Sequence, residues 1–286
     1  MTHRLTTSHL TLGYGAEPIV DRFDSAIEDG VVTGIIGPNG CGKSTLLKGL
    51  GRLLTPVSGS ALLDGRPIHL IPTREVARTL AILPQSPIAP DEITVRDLVG
   101  RGRHPHRGFF SGPTSADRDA VSEALARTRL EDLGDVAVNH LSGGQRQRAW
   151  LAMVLAQQPD ILLLDEPTSH LDLVHQMQVL RLIRELSATG TTVVVVLHDL
   201  ALAARFSDRL IAMRDGRLVA QGETHEIFTA GLLESTFGLR ARVFIDPDTD
   251  LPVVLPLDVT ARVLPPNDKP PYPTRKVITK CTSKRI

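Results

Sequence analysis

The stretch Gly37-Pro-Asn-Gly-Cys-Gly-Lys-Ser-Thr45 sets glycines, a lysine and two hydroxyls in the spacing G-x-x-x-x-G-K-[ST]. That spacing suits one chemistry, the cradling of a polyphosphate. Gly37, Gly40 and Gly42 let successive backbone N–H groups turn inward around phosphate oxygens. Pro38, Asn39 and Cys41 fill the variable positions and contribute only backbone there. A helix opening behind the loop adds its positive dipole end. Lys43 is expected to bridge the β and γ phosphates as a point charge, Ser44 to ligate Mg²⁺ through its hydroxyl, and Thr45 to reach the α phosphate.

A second group with chemistry in it is Ile161-Leu-Leu-Leu-Asp-Glu166, an apolar run that ends in two carboxylates. Beside a phosphate cradle, Asp165 is expected to hold Mg²⁺ and Glu166 to orient and polarise an attacking water. The alternative is that these acids cap the helix expected after Pro167.

Both groups need a particular frame. Val31–Ile36 reads as a buried strand running into the glycine loop, and Leu46, Leu47, Leu50 and Leu53 as the apolar side of the helix behind it. Strands are expected at Leu80–Leu83, Ile161–Leu164 and Thr192–Leu197, with helices from Leu141 to about Gln157 and from Leu173 to Ser187. This alternation implies a parallel sheet with crossover helices, whose carboxyl edge is where ligands bind. Residues 1–36 and Ala61–Gly65 read as strands and turns, and Asp215-Gly216 as a hairpin turn between Leu210–Met213 and Arg217–Ala220. Between Ser86 and His140 the pattern turns helical, Pro-rich and charged, with a helix from about Ala116 to Leu130. From Pro265 onward the chain is Pro-rich and basic, and a disordered tail is expected.

Composition limits the partners. Lys+Arg and Asp+Glu each total 32 in 286 residues, so a uniformly basic nucleic-acid binder is not expected. Two cysteines, Cys41 and Cys281, give no disulfide framework and suit a reducing compartment. No apolar run approaches the roughly 18–20 residues that span a bilayer. Met1-Thr-His-Arg leads into polar residues without the apolar centre of a signal peptide. If the protein works at a membrane, something else holds it there.

Leu141-Ser-Gly-Gly-Gln145 opens the helix between the two phosphate motifs. With them it resembles the signature of ABC transporter ATPases, over about residues 5 to 260. The resemblance implies an α/β fold of the P-loop NTPase class: a RecA-like core with an N-terminal antiparallel β subdomain and a helical subdomain at about 86–157. One ATPase domain would cover 1–264, followed by the basic tail 265–286. It implies ATP and Mg²⁺ as cofactors. Tyr14 matches the aromatic that stacks on adenine, with a core tyrosine as the alternative. Gln85 matches the Q-loop glutamine that touches Mg²⁺, and His198 the histidine that contacts the γ phosphate. Ser169-His-Leu-Asp172 matches the D-loop, with His170 where Ala is commoner. Cys41 replaces the usual Ser or Ala of the phosphate loop, which suggests sensitivity to alkylation.

In this family Ser142, Gly143, Gly144 and Gln145 complete the site of a partner rather than their own. One phosphate loop and one signature per chain therefore imply a second ATPase subunit, most simply a homodimer. The resemblance further implies integral membrane permease subunits, an extracytoplasmic substrate-binding protein acting indirectly, and a place on the cytoplasmic face of the membrane. Asp91–His106, Gln145–Gln157 and Asp246–Pro256 are similar to the ATPases of ferric-siderophore importers, with heme and cobalamin importers as alternatives. Arg101, Arg103 and His104 in the first of these segments also read as a solvated basic face. A soluble, non-transport ABC ATPase is disfavoured because the insert carries neither heptads nor a zinc module.

Overall fold

A computed structural model describes residues 3–257, apart from 16, 91, 109–111 and 170. The tail expected at 265–286, the domain end at 264, His170 and Cys281 lie outside the described residues.

The chain opens with the strands β1 (Leu5–Leu12), β2 (Val20–Ile27) and β3 (Val32–Ile36). Helix α1 (Lys43–Leu50) follows, then β4 (Ser58–Leu63), β5 (Arg66–Pro67), α2 (Thr73–Thr79) and β6 (Leu80–Leu83). Three helices come next: α3 (Val95–Arg101), α4 (Ser115–Thr128) and α5 (Gly143–Ala156). The core then resumes with β7 (Ile161–Asp165), α6 (Leu173–Ala188), β8 (Thr192–Val196), α7 (Leu200–Phe206), β9 (Arg209–Arg214) and β10 (Arg217–Glu223). Short helices α8 (Thr224–Ile227) and α9 (Ala230–Phe237) lead to a hairpin, β11 (Ala241–Ile245) and β12 (Pro252–Pro256).

Strands β9, β3, β8, β7 and β6 run parallel in that order, with β10 antiparallel at the β9 edge. A separate antiparallel sheet has the order β2-β1-β4-β5. The two faces of the central sheet follow from the period of two along its strands. Leu162, Leu164, Val193 and Val195 pack into the core shared with α4, α5 and α6. Ile161, Leu163, Val194 and Val196 pack into the core shared with α1 and the antiparallel sheet. Both faces are covered, so β3, β7 and β8 are buried along their whole length. This is the P-loop NTPase architecture expected, with an antiparallel subdomain and a helical segment. At the hairpin turn both Asp215 and Gly216 take positive φ, 50° and 76°, as a type I′ turn requires.

Several expectations shift. α1 ends at Leu50; Gly51 caps it and Arg52 turns left-handed at φ 62°, which leaves Leu53 58% exposed rather than on the apolar side. Among the described residues of 86–94 there is no helix, and Thr94 caps α3 by accepting from the Asp97 N–H. Arg103 does not belong to a solvated face. It is 6% exposed, pairs with buried Asp117 at 3.0 Å and donates to the Ala156 carbonyl. Asp117 also accepts from the Thr114 N–H in the capping box of α4, and these bonds hold its carboxyl well below the usual range. The pair locks α4 to the end of α5.

Candidate active site

The fully buried β3 delivers the chain to the glycine loop at the carboxyl edge of the sheet. A Cβ on Gly37 would sit 2.3 Å from the Met213 carbonyl oxygen, so no side chain fits there. Gly42 caps α1 at φ 101°, a conformation that L side chains rarely adopt. Lys43 is 5% exposed, and its Nζ curls back to donate to the carbonyls of Gly37 (2.8 Å) and Pro38 (2.9 Å). Among the described residues no carboxylate pairs with this ammonium, so it stands as an uncompensated cation beside the first turn of a helix, a setting that takes an anion. Thr45 is buried in that turn and Asn39 is exposed at the loop tip.

Ser44 Oγ donates to Asp165 Oδ1 at 2.9 Å and ties the loop to the end of β7. Asp165 is 3% exposed. Burial pushes its carboxyl up and the Glu166 charge adds to this, against the Ser44 hydrogen bond. Glu166 adopts φ 52°, which costs about 1 kcal/mol for an L residue. Its carboxylate is gripped from three directions. Gln85, beyond β6, donates to Oε2 at 2.6 Å; Ser169 Oγ donates to the same oxygen at 3.0 Å; and His198 Nε2, beyond β8, lies 2.5 Å from Oε1. Neither acid caps the next helix. That helix begins at Leu173 and is capped by Asp172, which accepts from the His175 N–H at 2.9 Å. The hydrogen bonds from His175 hold the exposed Asp172 carboxyl below its ordinary value.

Tyr14 is 60% exposed, beyond the end of β1, so it is no core tyrosine. Its hydroxyl accepts from Lys48 Nζ at 3.2 Å, and the same ammonium lies 5.7 Å from the ring centroid. Cys41 is 4% exposed, and burial pushes its thiol up. That corrects the expectation of alkylation sensitivity, because the thiolate is the reactive form.

Ser142 caps α5 in a reciprocal box: its Oγ accepts from the Gln145 N–H at 3.3 Å, and Gln145 Oε1 accepts from the Ser142 N–H at 2.9 Å. Gly143 and Gly144 form the first turn, and a Cβ on Gly144 would meet Leu171 at 3.6 Å. The site residues thus form two groups. One gathers Lys43, Ser44, Gln85, Asp165, Glu166 and His198. The other joins Ser142–Gln145 to the segment ending at Asp172. The Ser169 hydroxyl, at the start of that segment, links the two through its hydrogen bond to Glu166. Sequence reasoning named Ser169 only as the start of the D-loop match and missed it as a partner of Glu166, three positions before it; it passed over Lys48, one helical turn past Ser44.

The ABC transporter family model matches residues 20–169. The chain belongs to the ABC transporter family. Within it, the chain is 49% identical to the ferric enterobactin transport ATP-binding protein FepC of Escherichia coli K12, over 90% of this chain and 96% of that protein. It is 46% identical to the achromobactin transport ATP-binding protein CbrD of Dickeya dadantii, over 88% and 94%. A cobalamin import ATP-binding protein of Halobacterium salinarum is 40% identical, over 84% of this chain and 60% of its own length. The dimeric structure of MJ0796, a bacterial ABC transporter cassette, superposes with a TM-score of 0.69 at 30% identity, over 77% of this chain and 98% of that one. This ABC cassette contains no helix long and apolar enough to cross a membrane among its described residues.

Proposed function

We propose that this ABC cassette hydrolyses ATP to drive import of an iron(III)–siderophore complex, as one of two copies bound to permease subunits on the cytoplasmic face of a membrane. The observation that carries the hydrolytic part is the Glu166 carboxylate, held by Gln85, Ser169 and His198 beside the Lys43–Ser44 loop. A base fixed on three sides is oriented before substrate arrives. Lys43 exchanges its loop carbonyls for phosphate oxygens, Tyr14 offers a solvent-exposed ring to the adenine, and Glu166 takes the proton of the attacking water. His198 contacts the γ phosphate.

The hydroxyl of Ser44, the buried carboxylate of Asp165 and the amide oxygen of Gln85 are hard oxygen donors that fit Mg²⁺, and burial, which raises the Asp165 carboxyl, favours a cation beside it. Mg²⁺ bound there would neutralise charge on the phosphates. Ser142, Gly143, Gly144 and Gln145, which share no hydrogen bond with the phosphate loop among the described residues, complete the site of a second copy, with Asp172 at the same junction.

The cargo reading rests on similarity to importers whose names specify ferric enterobactin and achromobactin; the cobalamin relative is less similar and matches over a smaller share of its length. An extracytoplasmic binding protein would deliver the chelate to the permease. The deciding experiment is uptake of ⁵⁵Fe-labelled siderophores in a strain lacking this protein, with heme and cobalamin as controls. Loss of chelate uptake alone supports the reading; intact chelate uptake with loss of heme or cobalamin uptake overturns it.

A further inference from the structure

Away from the nucleotide loop, α4, α5 and α6 converge on a cavity of about 120 Å³. Arg127, Arg129, Arg148 and Arg181 line it, against a single carboxylate, Glu185. Among the described residues none of the four guanidinium groups pairs with a carboxylate within 4.0 Å, whereas Arg4, Arg66, Arg96, Arg103, Arg184, Arg209 and Arg217 elsewhere do. Arg148 is the most constrained. Its Nη1 donates to the Thr128 and Arg129 carbonyls at 3.0 and 3.4 Å, and its buried Nε donates to nothing. Burial and the neighbouring Arg129 charge both push this guanidinium down, so it is held against its own electrostatics.

The plain explanation is that these cations serve the carboxyl end of α4, whose dipole favours positive charge. That accounts for the two bonds of Arg148. It does not account for Arg181 on another helix, or for the idle buried Nε. An unpaired buried donor is destabilising, and a bound acceptor would relieve it.

We propose that this cavity binds a small tetrahedral oxyanion of the inorganic phosphate type, at a second site separate from the nucleotide loop. Guanidinium forks match phosphate oxygens in pairs, which a lone ammonium cannot do. The volume is below the about 300–1,000 Å³ of pockets that enclose larger ligands, so a whole nucleotide does not fit. Held between Arg129 and Arg148 on the helical segment and Arg181 on the core, the anion would clamp α4 and α5 to α6. The inference rests on the arginine cluster and does not depend on the cargo or on hydrolysis.

The test uses the full chain with Lys43→Ala, to weaken phosphate binding at the loop. Sodium phosphate is titrated calorimetrically at ionic strength held constant with chloride. One saturable site is expected, and adding the exposed pair Arg129→Gln and Arg181→Gln should weaken it about tenfold or more. Unchanged melting of that variant would show that its fold survives. A saturated excess of ADP should leave the site available. Absence of a saturable site in Lys43→Ala, or phosphate affinity indifferent to the arginine pair, would overturn the proposal.

Discussion

Gln85 Nε2 donates to Glu166 Oε2 at 2.6 Å, across 81 positions of sequence. The bond links two loops beyond neighbouring parallel strands, β6 and β7, and β6 is the edge from which the chain departs into α3, α4 and α5. A displacement of the helical segment that pulls on Gln85 therefore reaches the Glu166 carboxylate directly. The same carboxylate also meets His198 from β8, so three adjacent loops of one sheet edge meet on two oxygen atoms.

Replacing Glu166 by Gln preserves size and some of these hydrogen bonds but removes the proton acceptor. ATP turnover should fall by about 10² to 10⁴-fold, the range for loss of general-base catalysis. ATP affinity should stay within a few-fold, and a dimer should accumulate on a sizing column run with MgATP. Turnover near wild type would show that another group takes the proton.

Much of this site was legible because phosphate chemistry fixes spacing. The glycine loop, the Asp165–Glu166 pair and the signature each occupy contiguous residues whose geometry is local. Ser169 was not legible as a partner of Glu166, because its role depends on the turn that brings its hydroxyl back to the carboxylate. Arg103 read as a surface cation because its partner, Asp117, stands 14 positions further along, with no periodic sequence pattern to pair the two. Leu53 continued the apolar period of α1 after the backbone had already turned at Arg52. The hairpin β11–β12 was hidden by short strands of five residues with exposed apolar side chains, such as Phe244 and Leu255.

Asp165 carries a stability cost in the nucleotide-free protein. Its folded carboxyl titrates above the ordinary value, chiefly through burial. Between the unfolded and folded values the native state binds more protons than the unfolded one, so stability falls as pH rises through that window and stays lower above it. Asp165→Asn removes the charge yet keeps an acceptor for the Ser44 hydroxyl. At pH 7 and without nucleotide its Tm should rise by about 2 °C, while Mg²⁺-dependent ATPase activity is lost. A lower Tm in calorimetry would contradict the burial argument.

Cys41 should be slow to react. Its thiol is 4% exposed and pushed up by burial. In a Cys281→Ser background, labelling of the native protein by Ellman's reagent at pH 7.5 should run at least about 10²-fold slower than in denaturant. Labelling at the denatured rate would place the thiol at the surface.

Ser142 separates two roles that a bulky substitution confounds. Its Oγ caps α5 by accepting from the Gln145 N–H, and the same residue belongs to the segment proposed to complete the nucleotide site of a second copy. Asp accepts the same cap bond and complements the helix dipole, so Ser142→Asp should change unfolding free energy by no more than about 0.5 kcal/mol. It also sets a carboxylate against a triphosphate. ATP should bind the single chain with wild-type affinity, yet the MgATP-dependent dimer of the Glu166→Gln protein should disappear when Ser142→Asp is added. A double variant that still dimerises would mean that the amino end of α5 faces solvent rather than a partner's nucleotide.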